Sequence, residues 1–142
     1  MGISIDYYTN YEIQEMIEKY NKFIEDYKDT IDGLVAKAFK IEGFLIPNVY
    51  IGIGVVTEEE IKQINNEYRK VDAPTDVLSF PIFSKEELAK MKADKYDTET
   101  SIGDIVLCMD VIERHAKEYG TGFNREMLYM IVHGICHLFQ GF

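Results

Sequence analysis

Apolar and polar positions recur with different periods along the chain, and these periods predict the elements. "GISIDYY" alternates with a period of two near the start, as a strand does. "NYEIQEMIEKYNKFIEDYK" then places apolar residues at helical spacing from Ile13 to Tyr27. We expect a second, shorter helix that ends at Gly43. After Pro47 and Asn48, the β-branched run "VYIGIGVV" predicts a buried strand.

The middle of the chain is predicted to hold one helix and two strands. Thr57, with Glu60 three residues later, forms a capping-box pattern that opens the helix "EEEIKQINNEYRK". "TDVLSF" between Pro74 and Pro81 is typical of a short strand. "IFSKEELAKMKADKYDTETS" is charged and weakly periodic, so we expect an excursion with one helical turn. "GDIVLCM" then returns as a strand.

Two helices are predicted to end the chain. Asp110 with Glu113 is expected to cap "VIERHAKEYG", which Gly120 and Gly122 terminate, and Asn124 is expected to cap "REMLYMIVHGICHLF". The order of elements favours an α+β fold, in which a single small mixed β-sheet of about four strands packs with helices. The last helix carries the candidate metal site at the C-terminus.

Composition narrows the class of protein. A chain of 142 residues suits a single domain covering residues 1–142. The formal charge, 15 minus 25, is −10, so a polyanionic substrate requires a locally basic cleft. Cys108 and Cys136 form no CxxC pair, and no apolar run approaches the ~20 residues that span a membrane. We therefore expect a cytoplasmic protein with free thiols and no membrane segment.

Two histidines near the end of the chain suggest a metal site. His133 and His137 stand four residues apart, so their rings can converge on one cation, although hydrogen-bonded, partly buried histidines are the alternative. Gly134 costs a helix ~1 kcal/mol relative to alanine and would admit a backbone or a substrate between the histidines. A zincin has glutamate at that position, so metalloprotease chemistry is disfavoured. Each cysteine is interpreted as a small buried apolar residue.

The stretch "NNEYRKVDAPTDVLSFP" is dense in polar side chains where a strand begins. Arg69 offers a planar, permanently charged fork for a phosphate, although an arginine at a helix end also complements the helix dipole. Thr75, Asp76 and Ser79 follow, and such residues also cap turns. Further along, Gly103 and Asp104 indicate a bulge or a turn at the start of a strand, while His115 is expected on a solvated helix face.

Three segments together give the chain a family resemblance: "INNEYRKVDAPTDVLSFP", "IGDIVLCMDVIERHAKEYG" and "VHGICHL". They resemble the YbeY family of bacterial metal-dependent endoribonucleases, which act on single-stranded RNA in ribosomal RNA maturation. The resemblance covers about residues 48–141. It implies RNA, the ribosome or ribosomal proteins as partners, and neither DNA nor a membrane.

The resemblance also implies roles for particular residues. His133 and His137 match the first two ligands of one zinc ion, or of another divalent metal, in the pattern H-G-x-x-H-L-x-G-(Y/F)-D-H. Arg69 matches an arginine that contacts substrate phosphate. The cleft wall beside the metal is expected to include Thr75, Asp76 and Ser79. No carboxylate in the histidine motif is available as a general base.

The chain departs from this pattern at its end. "HLFQGF" has one extra residue before the glycine and stops before the Asp-His pair, so the third histidine ligand is missing. We expect a truncated chain or a disrupted frame; otherwise His115, Asp104 or Cys136 fills the position, or the site is weak or empty. The alternative functions are a non-catalytic ribosome-associated binding protein with a vestigial metal site, and a metal hydrolase of a small substrate.

Overall fold

Nine elements make up the part of the chain that the computed structural model describes, residues 2–44, 48–93 and 100–141. The expectation of an α+β fold with about four strands in one mixed sheet is confirmed. The strands are β1 (Gly2–Thr9), β2 (Asn48–Val55), β3 (Val77–Pro81) and β4 (Thr100–Leu107); the helices are α1 (Gln14–Glu42), α2 (Glu58–Arg69), α3 (Lys85–Ala93), α4 (Met109–Tyr119) and α5 (Phe123–Gln140).

The sheet has the strand order β1-β2-β4-β3, which leaves β3 at an edge. Strands β1, β2 and β4 run parallel, whereas β3 is antiparallel to β4. The register shifts where Tyr50 pairs with Ser101 but Ile51 pairs with Gly103, so the bulge expected near Gly103 is present. Gly103 has φ +143 there, and a β-carbon would lie 2.3 Å from the carbonyl oxygen of Phe80.

The first helix is longer than the sequence pattern indicated. We expected two helices before Gly43, but α1 is one helix of 29 residues that ends at this glycine with φ 79. Its buried positions continue at helical spacing through Ile31, Val35 and Phe39. Because burying such an apolar stripe stabilises a helix more than local propensity does, Gly33 in the middle does not interrupt it.

Helix α3 replaces the single helical turn expected after β3. It begins after Ser84, whose hydroxyl oxygen accepts a hydrogen bond from the backbone N–H of Glu87 at 3.2 Å. The Glu87 carboxylate accepts one in return from the Ser84 N–H at 3.1 Å, which completes a capping box. Leu88 and Met91 are buried on its inner face. Residues 94–99 of the predicted excursion lie outside the described residues, and its last two residues, Thr100 and Ser101, already belong to β4.

Two of the three predicted helix caps are wrong. Thr57 caps α2 as expected, because its side chain accepts a hydrogen bond from the Glu60 N–H. Helix α4 instead begins after Cys108, and the Asp110 carboxylate accepts a hydrogen bond from the hydroxyl of Tyr11 at 3.3 Å. Helix α5 begins after its N-cap, Gly122, so Asn124 falls inside the first turn. A contact with the distant Tyr11 thus takes the place of the predicted cap at α4, whereas α5 starts from Gly122, itself a favoured N-cap residue.

The two faces of the sheet bury different clusters. Helices α1 and α5 cover one face, where Ile53, Ile105 and Ile135 belong to the larger cluster. Helix α2 covers part of the other face through a smaller cluster that includes Ile61, Leu78 and Val106. Strand β3 therefore lies beside α5 on one side and near the end of α2 on the other. Among the described residues, no helix combines the length and apolarity needed to cross a membrane.

Candidate active-site cleft

One cleft brings the six predicted site residues together between the edge strand β3, the end of α2 and the C-terminal half of α5. Its volume is about 370 Å³, within the range of ligand pockets of ~300–1,000 Å³. We call it the histidine cleft. Its lining residues are Arg69, Thr75, Asp76, Val77, Leu78, Ser79, Pro81, His133, His137, Gln140 and Gly141.

The two histidines face each other on the outer side of α5. Their Nε2 atoms are 3.0 Å apart and the ring planes are inclined at 73°. Both side chains are exposed, whereas Gly134 and Ile135 between them are buried. The helix thus presents two ring nitrogens to the cleft and its apolar side to the sheet.

This nitrogen pair fits two positions of a tetrahedral metal site. Zinc binds imidazole at ~2.0–2.1 Å, so two nitrogens of a tetrahedral site lie about 3.4 Å apart. The observed 3.0 Å is close to that separation, and a small ring rotation would make up the difference. In the structure as it stands the two nitrogens are at hydrogen-bonding distance, so one ring would donate and the other accept.

The three side chains expected to replace a missing third ligand do not reach this pair. No three histidine, cysteine or carboxylate side chains within the described ranges converge to hold a metal. His115 is half-buried, and its Nδ1 lies 3.5 Å from a carboxylate oxygen of Asp76. It therefore contacts the protein and does not lie on the fully solvated helix face that we had expected. Cys136 is on α5 but outside the cleft lining, and it is exposed although we expected a buried thiol. Cys108 is buried, as expected.

Asp104 lies on the opposite face of the sheet from the histidines. Its neighbour Ile105 faces α5, and successive strand residues point to opposite faces. The Asp104 carboxylate fills the space over Gly52, where a β-carbon would meet its oxygen at 1.8 Å. Burial, followed by the charge of Asp104, raises the pKa of Tyr8 to about 12. Asp104 is therefore occupied elsewhere.

Gly134 allows α5 to pack closely on the sheet. A β-carbon at this position would lie 2.7 Å from Cγ2 of Ile105 and 3.2 Å from Oγ of Ser79. The Ser79 hydroxyl donates a hydrogen bond to the carbonyl oxygen of Gly134 at 2.9 Å. The sequence led us to expect that Gly134 admits a backbone or a substrate; what approaches it is the sheet. The hydrogen bond from Ser79 also holds β3 against α5 at this point.

Arg69 provides the cation of the cleft. It is the last residue of α2 and its side chain is exposed. Across the described ranges its guanidinium group makes no side-chain hydrogen bond or ion pair, so all its donors face solvent and the cleft. A guanidinium group without a protein partner is free to bind a phosphate through two parallel hydrogen bonds.

Asp76 and Thr75 form the wall between Arg69 and β3. One carboxylate oxygen of Asp76 accepts hydrogen bonds from the N–H of Val77 at 2.9 Å and from the Thr75 hydroxyl at 3.3 Å. Its other oxygen faces His115. These bonds fix the aspartate at the start of the strand, as expected for a capping residue, while leaving it at the cleft surface.

Asn65 supports the cleft but was not singled out from the sequence. It is the buried polar residue of α2, with 2% of its surface exposed, and its Nδ2 donates to the carbonyl oxygen of Ala73 at 2.9 Å. Its backbone carbonyl oxygen accepts a hydrogen bond from the N–H of Val71. These bonds tie the connection after α2 to the helix that carries Arg69. The sequence offered one signal for its role, because Asn65 is a polar residue at a helix position where the periodicity predicts an apolar one.

Comparison with known proteins identifies relatives of the whole described fold. The family model described as "Endoribonuclease YbeY" matches residues 3–141. The chain is 47% identical over 93 residues to the Endoribonuclease YbeY of Lactobacillus acidophilus, which covers 64% of this chain and 53% of that protein. It is 38% identical over 113 residues to that of Caldanaerobacter subterraneus, covering 76% and 72%.

The fold of this chain is also similar to a solved structure. The solution structure of TM1509 from Thermotoga maritima has a TM-score of 0.59 and 27% sequence identity, and the match covers 97% of this chain and 73% of that one. The chain spans about half the length of the Lactobacillus relatives that it matches.

Proposed function

This chain belongs to the YbeY family of endoribonucleases, and on that premise we propose that it hydrolyses phosphodiester bonds of single-stranded RNA in the histidine cleft. The proposed substrate is ribosomal RNA during ribosome maturation, with the ribosome or its proteins as partners in the cytoplasm. The proposed cofactor is one divalent cation, zinc by ligand type, at His133 and His137.

The observation that carries the proposal is the joining of Arg69 and the histidine pair in one cleft. Arg69 and His133 are far apart in the sequence, and the sheet order brings them to the same 370 Å³ space. The chain has a net charge of −10, so a bare guanidinium group beside two imidazoles is a local exception to its overall charge. An anion is the ligand class that suits this lining.

The side chains have separable roles in this proposal. Arg69 binds the non-bridging oxygens of the scissile phosphate and stabilises the negative charge that develops on them. The Thr75 and Ser79 hydroxyls of the wall donate to Asp76 and to the Gly134 carbonyl, so their oxygens are left to accept a hydrogen bond from a ribose hydroxyl. A divalent cation bound by the histidines would supply Lewis-acid polarisation of the phosphoryl group.

Substitution of Arg69 tests this role. Arg69→Ala is expected to lower the rate of cleavage of a single-stranded ribosomal RNA fragment by about a hundredfold, because charge stabilisation in the transition state is lost. Its free energy of unfolding should change by less than about 0.5 kcal/mol, since the side chain is exposed. Gel-resolved cleavage with added zinc and urea unfolding measure the two effects.

Lys62→Ala is the matched control, because it removes an exposed cation of the same helix outside the cleft. Equal losses of activity in both variants, or parallel losses of stability and activity in Arg69→Ala, would contradict the phosphate-binding role.

The net charge of −10 favours a second candidate, a non-catalytic ribosome-associated binding protein with a vestigial metal site, because an acidic surface suits contact with basic ribosomal proteins. RNA binding that persists in chelator, without cleavage when zinc is restored, would support this candidate. Chelator-sensitive cleavage would support the enzyme.

A further inference from the structure

A second cleft adjoins the histidine cleft and shares Asp76 with it. It lies between the C-terminal half of α4 and the N-terminal half of α5, and its volume is about 480 Å³. We call it the tyrosine cleft, because Tyr119 and Tyr129 line it together with Asp76, His115 and Arg125. A cleft of this size can hold a nucleotide-sized ligand.

The two tyrosines of this cleft are exposed to solvent. The exposed fraction is 68% for Tyr119 and 62% for Tyr129. The Tyr129 ring is inclined by only 11° to the ring of His133, with 6.5 Å between the centroids. The rings of His115 and Tyr119 are 6.0 Å apart on the other helix. Flat aromatic surfaces therefore continue from the histidine pair into the tyrosine cleft.

Arg125 is the cation that lines the tyrosine cleft, as Arg69 is the cation that lines the histidine cleft. It is exposed in the first turn of α5, and its guanidinium group forms no ion pair with any residue that the structure describes. Arg69 and Arg125 line the two adjoining clefts, and the histidine pair lies in the cleft that holds Arg69. This arrangement suits an extended polyanion that crosses both clefts.

We propose that the tyrosine cleft binds a nucleotide next to the scissile phosphate of single-stranded RNA, with its base stacked on Tyr129 and a phosphate bound by Arg125. This subsite rests on the proposed endoribonuclease function. Unpaired bases expose their faces and stack on aromatic side chains, whereas bases in a duplex are already stacked on their neighbours. The tyrosine cleft would thus contribute the preference for single strands.

The lining favours a nucleotide over an apolar protein segment. The lining consists of the two tyrosines, Met130 and four charged or polar side chains, so the cleft combines flat aromatic faces with hydrogen-bonding groups. Base edges carry donors and acceptors that such groups can satisfy. A helix-binding groove would instead present a continuous apolar surface.

Equilibrium binding in chelator, where the RNA stays intact, tests the subsite. The probe is a fluorescently labelled single-stranded oligoadenylate, followed by anisotropy at several salt concentrations. Tyr129→Ala is expected to weaken binding by about tenfold, whereas Tyr129→Phe keeps the ring and should bind as the unaltered chain does. Arg125→Ala should reduce the slope of log K against log salt by about 0.7, the value for one phosphate contact with a single strand.

Lys117→Ala is the control for charge, because it removes an exposed cation of α4 outside the tyrosine cleft and should leave the slope unchanged. Urea unfolding of each variant verifies that it is folded. Two results would overturn the subsite alone. One is that Tyr129→Ala binds the probe as tightly as the unaltered chain, and the other is that Lys117→Ala loses as much affinity as Arg125→Ala. If the unaltered chain binds no single-stranded RNA, the proposed function fails together with it.

Discussion

Gly134 shows how a single residue can be fixed by packing beside a candidate site. The glycine stands between the two histidines, yet its missing side chain makes room for Ile105 and Ser79 of the sheet rather than for a ligand. Gly33 is also a helical glycine, but a β-carbon there would meet nothing within 4 Å. Substitutions at these two glycines therefore distinguish the effect of helix propensity, which acts at both, from the effect of packing against the sheet, which acts at Gly134 alone.

Alanine at these two glycines is expected to change stability in opposite directions. Gly33→Ala should raise the free energy of unfolding by about 0.5–1 kcal/mol, since alanine favours the helix and has space. Gly134→Ala gains the same propensity but forces α5 away from Ile105, which costs about 1–3 kcal/mol. Its net effect should be a loss of up to about 2 kcal/mol in urea unfolding. A stabilised Gly134→Ala variant would show that the helix moves away from the sheet at little cost.

At the scale of elements, the sequence predicted what local patterns determine. The Thr57 cap and the end of α4 at Gly120 agree with the structure because these depend on neighbouring residues. The Ser84–Glu87 capping box was also readable, and it would have predicted α3. The starts of α4 and α5 could not be predicted in this way, because their N-cap residues, Cys108 and Gly122, form no side-chain hydrogen bond that a local motif would reveal.

Helices α1, α4 and α5 meet at Lys19. Its Nζ lies 2.5 Å from Oε2 of Glu113 on α4 and 4.1 Å from the ring centroid of Phe123 on α5. The hydrogen bond from Lys19 lowers the pKa of Glu113, against the opposing effect of its partial burial. Both side chains are partly exposed, so solvent screening leaves such a pair about 0.2–1 kcal/mol.

Glu113→Gln is expected to reduce stability at neutral pH by that amount and to lose its effect in acid. A carboxyl group whose pKa is lowered on folding stabilises the protein above the unfolded pKa, and the contribution disappears as the pH falls through the folded pKa. Urea unfolding at pH 7 and below pH ~4 should therefore show the difference from the unaltered chain shrinking. Glu118→Gln, at an exposed position of the same helix, is the control. A difference that stays constant in acid would contradict this account.

At the scale of the whole molecule, the cleft depends on topology that local pattern does not reveal. Arg69 ends α2 on one side of the sheet, while the histidines lie on α5 on the other. They meet because β3 turns back as an antiparallel edge strand beside β4, so its residues border both helices. The motifs pointed to these residues through the family resemblance, whereas Asn65 and the tyrosine cleft required the folded chain.

Metal binding at the histidine pair should appear as stability of the whole fold. A ligand that binds only the folded chain adds about 2.7 kcal/mol to the free energy of unfolding at a hundredfold excess over its Kd. For a chain of this size, that corresponds to a rise in Tm of about 5–15 °C. Thermal unfolding during a zinc titration measures it, and His133→Ala should abolish the rise because one imidazole alone cannot chelate. His115→Ala leaves the pair intact and should keep the rise. A shift that survives in His133→Ala would place the metal elsewhere in the chain.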